Sequence, residues 1–368
     1  MHVVNAQAYQ EDWEITVDEA QNVYVASSIN VSMFDPGTIG RIEKINSNGS
    51  TGWEITLGTG STFQHTFCRD IAVDSVGNVY VSGRSGPSID VDPGPNTVNL
   101  SGPFIVKYTG AGDYVSHILG GGQLIEVSRD GNSIYTVEPI GFMVTWPLNI
   151  MKRNGSGTQL WSHPLDSLTY VRMNITEPGN IYVTGYFVDT VDADPGPGVT
   201  ELLTAGGKDQ FLLKMDSAGN FIWAKQMGSL SKDQGMGLEL DGEGNIYTCG
   251  VFSGTVDMDP NTGVENLVSM TPDTTDIFVQ KLDAAGNYVW AVPIATNWIN
   301  ESFGMAIDTA GAIIIIGEAN GADVNPGTPS VLINANNFIT KWSDTTVIVS
   351  VGSIANEEHN FVVYPNPS

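Results

Sequence analysis

The stretch LDGEGNIYTCG, Leu240 to Gly250, decides how the chain is read. An apolar run ends at Asp241, a Gly-Asn pair follows, and a second apolar run starts at Ile246. Glycine accepts positive φ, and Asp or Asn hydrogen-bonds its own backbone. The phrase therefore predicts two antiparallel strands joined by a tight turn. Related phrases start at Val17, Val73, Ser128, Ile175 and Ile307, six copies in all. Anchored on Val23, Val79, Ile134, Ile181, Ile246 and Ile313, their spacings are 56, 55, 47, 65 and 67 residues. Recurrence at this period marks a repeated supersecondary unit.

A second phrase follows each first one, such as FLLKMDSAGNFIWAK in the fourth unit and FVQKLDAAGNYVWAV in the fifth. It sets Lys44, Lys107, Lys152, Lys214, Lys281 and Lys341 in register, and it places Trp53, Trp161, Trp223 and Trp290 just beyond the turn. Each unit thus predicts four short strands. Runs such as NIYV and AIIII are apolar on both faces, as in strands covered on both sides. One such sheet alone has no partner to supply the roughly 1.5–3 kcal/mol that each buried Ile or Val contributes. Radial stacking solves this. The expected fold is all-β: a single β-propeller over residues 9–347 with six four-stranded antiparallel blades, or seven if Gly141–Leu160 holds further strands. VVNAQAY near the start is expected to pair with the last unit and close the ring. Tyr24, Tyr80, Tyr135, Tyr182 and Tyr247 recur in the second strand and read as core between blades.

An acidic phrase recurs between the second and third strands. Its copies are Asp90-Val91-Asp92-Pro93-Gly94, Asp192-Ala193-Asp194-Pro195-Gly196, Asp257-Met258-Asp259-Pro260 and Asp323-Val324-Asn325-Pro326-Gly327, with a reduced form at Phe34-Asp35-Pro36-Gly37. The preferred reading is turn capping, with Pro presetting φ and Gly finishing the bend. A second reading makes Asp90, Asp92, Asp192, Asp194, Asp257, Asp259 and Asp323 ligands of calcium, a cation that takes six to eight oxygens. The spacing lacks the Gly and terminal Glu of an EF-hand loop. A third reading pairs the acids with the in-register lysines. In an up-and-down sheet the phrase is expected on the face opposite the two hairpin turns, alongside loops such as GSLSKDQG (Gly228–Gly235).

Composition narrows the function classes. Fifteen Lys and Arg against 41 Asp and Glu give a formal charge of −26. Nucleic acid and anionic membrane would be repelled. No apolar run reaches the ~18 residues of a membrane helix. Cys68 and Cys249 lie in different repeats without metal spacing, and His2, His65, His117, His163 and His359 are scattered. No nucleophile elbow, Walker loop, dinucleotide fingerprint or zincin motif is present. Catalysis would need paired carboxylates brought together from distant blades. Ala6-Gln7-Ala8 has the small-x-small form of a cleavage site, so residues 1–8 read as the remnant of a secretory signal.

The phrase GNIYVTGYF…DADPGPG…DQFLLKMDSAGNFIWAKQMG resembles the bacterial beta-propeller repeat proteins often seen among secreted proteins of Bacteroidetes. The resemblance spans roughly Glu11 to Asp344; the third unit lacks the acidic phrase and the sixth has Ala312 in place of Asn. The end, NEEHNFVVYPNPS, resembles the opening of the C-terminal sorting domain of type IX secretion, carried by Tyr364, Pro365, Asn366, Pro367 and Ser368. Residues 348–368 then read as a linker and the truncated start of that domain. The resemblance implies the type IX secretion machinery as a partner and a secreted or outer cell-surface location; it supplies no catalytic residues. The expected function is a monomeric binding or adhesion module for a glycan or surface protein, with no certain cofactor. The alternative is a propeller hydrolase or lyase acting on polysaccharide.

Overall fold

The computed structural model describes residues 9–30, 37–59, 65–139, 148–177, 179–271, 274–294, 301–308, 311–323, 332–342 and 348–354. Among them every regular element is a strand, and no helix is long and apolar enough to cross a membrane. The protein is all-β, with six four-stranded antiparallel propeller blades, each in chain order, and two two-stranded ribbons. Blades 1 to 3 begin with Tyr9–Val17, Thr66–Val73 and Leu124–Val127; blades 4 to 6 begin with Leu168–Ile175, Gln234–Leu240 and Glu301–Ile307. Two compact units, residues 1–164 and 165–368, hold three blades each.

Leu148–Asn154 and Gln159–Leu165, from the region that a seventh blade would have needed, are the outer strands of blade 3. Blade 6 takes its fourth strand from Ile348–Ile354, inside the segment read from sequence as linker. Tyr9 of VVNAQAY pairs with Asn30 in blade 1, and the remainder of that stretch lies outside the described residues.

The turns form as their residues dictate. In DGEGN, Asp241 Oδ1 accepts the Asn245 backbone N–H (2.9 Å) and Oδ2 accepts the Asn245 amide (2.8 Å). The same pair of bonds closes the turns Asp18–Asn22, Asp74–Asn78, Asp216–Asn220 and Asp283–Asn287. Gly244 sits at φ 82° and Gly286 at φ 81°, in the left-handed region. In the first turn that place belongs to Gln21, at φ 63°. A Cβ there costs about 1–2 kcal/mol. Gln21→Gly is therefore expected to raise stability by roughly 1 kcal/mol, the relieved strain being partly offset by unfolded-chain entropy. Thermal melts check it; a lower midpoint would contradict the turn geometry.

Double-sided apolar strands follow from double-sided burial. In unit 2, Ile246 and Phe252 face one core with Tyr182, Leu212 and Met227 of blade 4. Tyr247, Cys249 and Val251 of the same strand face another core with Ile313, Ile315 and Trp342 of blade 6. Unit 1 repeats this arrangement, with one core between blades 1 and 2 and another between blades 2 and 3. Cys68 and Cys249 are buried thiols within these cores.

A glycine ends the second-strand phrase of blades 2, 4 and 5 for a steric reason. Gly250 pairs with Phe278, and the first strand beside it shifts register between Gly235 and Gly237. That bulge turns the Gln234 carbonyl inward, so a Cβ on Gly250 would lie 1.9 Å from the oxygen and 2.8 Å from the Phe278 ring. Gly83 and Gly185 meet the equivalent carbonyls of Phe67 (2.4 Å) and Thr169 (2.5 Å), with Phe104 and Phe211 as the rings.

Candidate functional site

The acidic phrases of blades 2, 4 and 5 sit at the tips of ribbons whose inner faces are buried. In blade 2 the second strand itself lengthens to Asp90. In blades 4 and 5 separate ribbons form, Thr190–Asp192 with Glu201–Leu203 and Thr255–Asp257 with Asn266–Val268. Alternation turns one ribbon face inward: Val256 and Met258 enter the core between blades 4 and 5, and Ile89, Val91 and Leu100 enter the core between blades 1 and 2. The tip of the blade 5 ribbon reaches back to the hairpin-turn end. There Asn261 accepts from Lys225 Nζ (2.6 Å) and donates to the Gly286 carbonyl (3.4 Å). In blade 2 the Tyr108 hydroxyl donates to the Val91 carbonyl. For blades 2 and 5 the expectation that the acidic turns occupy the far face is thereby corrected: these ribbons double back because their inner residues are apolar.

Within the ribbons the aspartates cap. Asp192 Oδ1 accepts the backbone N–H groups of Asp194 (3.0 Å) and Thr200 (2.8 Å), and Asp194 Oδ1 accepts that of Gly196 (2.7 Å). Asp257 and Asp259 do the same with Asp259, Glu265 and Asn261. Asp90 and Asp92 repeat it with Asp92, Val98 and Gly94. Asp323 ends the strand Ile313–Asp323, while Asn325 to Gly327 and Phe34 to Pro36 lie outside the described residues, as do Tyr364, Pro365, Asn366 and Pro367.

This geometry fits a calcium shell poorly. Each first aspartate directs one oxygen at two N–H donors, whose positive ends oppose a cation, and calcium requires six to eight oxygens. Among the described residues no three acidic, His or Cys side chains gather as a metal group. Adding millimolar calcium, or a chelator, is expected to leave the melting temperature unchanged; a calcium-dependent rise would assign the ribbons to metal binding.

The in-register lysines serve the hairpin-turn end of the blade, bonding to turns and not to the ribbon aspartates. Lys44, Lys107, Lys152, Lys214 and Lys281 lie over the rings of Tyr24, Tyr80, Tyr135, Tyr182 and Tyr247 at 4.7–5.2 Å. Lys107 and Lys341 also meet the first-turn acids Asp74 (3.7 Å) and Asp308 (2.6 Å). Lys44 and Trp53 both donate to the Gly110 carbonyl of the following blade, and Lys214 donates to Ala284. All five tyrosines are buried, so they are core and not a sugar-stacking platform. A polar cleft between the turns of blades 2 and 3 is lined by Asp74, Asn78, Lys107 and Asp130. Its lysine is already engaged by the Tyr80 hydroxyl at 2.6 Å.

Sequence reading missed the buried carboxylates beneath the loop Gly228–Gly235. Asp233 Oδ2 accepts both the N–H (2.6 Å) and the hydroxyl (2.7 Å) of Ser229. Asp209 Oδ2 accepts Ala205 N–H (2.9 Å) and the Gln226 amide (2.7 Å). Oδ1 of each is buried without a partner. Burial pushes the Asp233 carboxyl up to about 6, with the nearby Asp209 charge acting in the same direction, and burial raises Asp209 as well. Asp209 has a counterpart in Asp276, which accepts Met270 N–H (2.7 Å); each opens the third strand and ties down the chain returning from its ribbon. Aligning KDQFLLK with TDIFVQK exposes this recurrence. Glu239 is held by burial at about 8, and its partner is the amide of Asn174 (3.1 Å), not the second carboxyl that glycoside chemistry requires.

Comparison with known proteins agrees with the repeat. The family model described as "Beta-propeller repeat" matches residues 55–86, the stretch from the fourth strand of blade 1 into the second strand of blade 2. The chain is 26% identical over 227 residues to the uncharacterized WD repeat-containing protein L264 of Acanthamoeba polyphaga mimivirus, covering 53% of this chain. The match spans only 15% of that relative's length. Two solved structures of proteins of unknown function are similar. One, from Bacteroides caccae, has 11% identity and a TM-score of 0.42, covering 79% of this chain and 92% of that one. The other, from Dyadobacter fermentans, has 10% identity and a TM-score of 0.44, covering 89% and 94%.

Proposed function

We propose that the chain is a binding or adhesion module that acts outside the cell, secreted or on the outer cell surface, and engages a glycan or a protein. The observation that carries this reading is the placement of exposed apolar side chains in unit 2. Val199, Leu203, Val264, Val268 and Met270 all lie on or beside the ribbons, and Leu230 tips the loop between blades 4 and 5 at 84% exposure. Exposed apolar groups recurring on the same outward segments of two blades favour an interaction surface. Leu230 stands on a fixed support, since Ser229 is bonded twice to Asp233 and the Gly206 backbone leaves no room for a Cβ beside Leu230. Described carboxylates with raised pKa serve loops and strands, which supports binding over hydrolysis. The extracellular setting is supported by the sorting-type phrase Tyr364-Pro365-Asn366-Pro367, which would route the protein through type IX secretion.

A screen of the purified chain against immobilised polysaccharides and cell-surface proteins, scored for retention and for product release, tests the reading. Retention without turnover is expected. Product release that survives repurification would replace the module with an enzyme.

A further inference from the structure

We propose that the outward faces of the two unit 2 ribbons, residues 190–203 and 255–268, form a paired docking surface for a basic protein segment carrying aliphatic side chains. This rests on the binding role above and names its partner.

The two ribbons present the same outward pattern 65 residues apart, Val199 with Leu203 and Val264 with Val268, all 64–73% exposed. The fold does not demand it: the blade 2 ribbon carries Thr97 and Ser101 at the matching positions. Inward residues already fill the core, so the outward pairs are surplus to stability. Segments 188–204 and 253–270 contain seven acidic residues and no Lys or Arg. Lys225, which reaches the blade 5 ribbon from the neighbouring strand, is committed to Asn261.

That combination selects among occupants. A second copy of this chain would bring its own charge of −26 against the same acids, and like charges repel. Neutral sugars favour open aromatic rings, and segments 188–204 and 253–270 contain no Phe, Trp or Tyr. A basic segment places its charges against the acids and its aliphatic groups over the valines and Leu203. The aspartate caps and the Asp209 and Asp276 tethers fix the ribbons beforehand, so little ordering is lost on binding. The repeated pattern offers a partner two equivalent sites.

The test uses the full chain and a synthetic peptide that alternates Lys and Leu, read by fluorescence anisotropy. The double variant Leu203→Ser with Val268→Ser keeps the charge and copies the polarity of the blade 2 ribbon. Its affinity is expected to fall roughly tenfold or more, because each ribbon then offers the peptide a hydroxyl where it had an aliphatic group. Wild-type binding is expected to weaken as salt rises from about 50 to about 300 mM. Equal affinity of variant and wild type, or salt-independent binding, would overturn the proposal. Retention of polysaccharide without peptide binding would overturn this partner while leaving the binding role intact. Retention of neither would remove both.

Discussion

Gly250→Ala is expected to cost about 3 kcal/mol and to lower the melting temperature by roughly 6–12 °C. The added methyl would stand 1.9 Å from the Gln234 carbonyl, a backbone atom that cannot rotate away, with the Phe278 ring at 2.8 Å on its other side. Relief would require the bulge at Gly235 to close, and that would slide the first strand against the second. A one-residue slip moves every side chain to the opposite face. Gly242→Ala in the turn of the same blade is the matched control, because a Cβ there meets nothing within 4 Å. If the two variants melt together, the steric reading of the second-strand glycine is wrong.

A second large effect concerns pH. The folded Asp233 carboxyl binds its proton up to about 6, against 3.8 when unperturbed. The native state therefore holds more protons than the unfolded chain between these values. Stability from this group is full below the unfolded value and declines as pH rises through the folded one. Glu239 extends the decline toward 8. On the acid side, the Asn220 amide holds Asp216 below its usual range, and that contribution is lost as pH falls. The most stable condition is thus mildly acidic. Asp233→Asn replaces the protonated acid with a neutral isostere able to accept the Ser229 bonds. It should match wild type near pH 4 and exceed it above pH 7 by up to about 3 kcal/mol. Parallel pH profiles for the two proteins would show that Asp233 does not carry the effect.

The repeat made the blades legible. Asp-x-x-Gly-Asn specifies its turn locally, and a strand such as Ile246–Phe252, apolar on both sides, can only lie between two cores. Capping by Asp192 and Asp257 was legible for the same reason, since the bonds run to residues two and eight positions on. The folding back of the ribbons was not, because it depends on where Val256 and Met258 find a core. Asp209 and Asp233 were hidden for a related reason. They belong to adjacent blades, and their proximity arises only when Lys208 bridges to Lys232. The glycine at 250 was visible in the phrase, but its cause, a carbonyl from the neighbouring strand, was not.

Lys44 and Trp53 reach forward to Gly110, and Lys214 reaches forward to Ala284. Each hook is thus synthesised tens of residues before its eye. Until the next blade's final hairpin leaves the ribosome, each lysine has only the ring contacts of its own blade, and its forward hydrogen bond is unmade. Docking of one blade on the next within each unit therefore completes these bonds only when the later blade has formed. Circular permutants that deliver the eye first should refold by a different sequence of docking events.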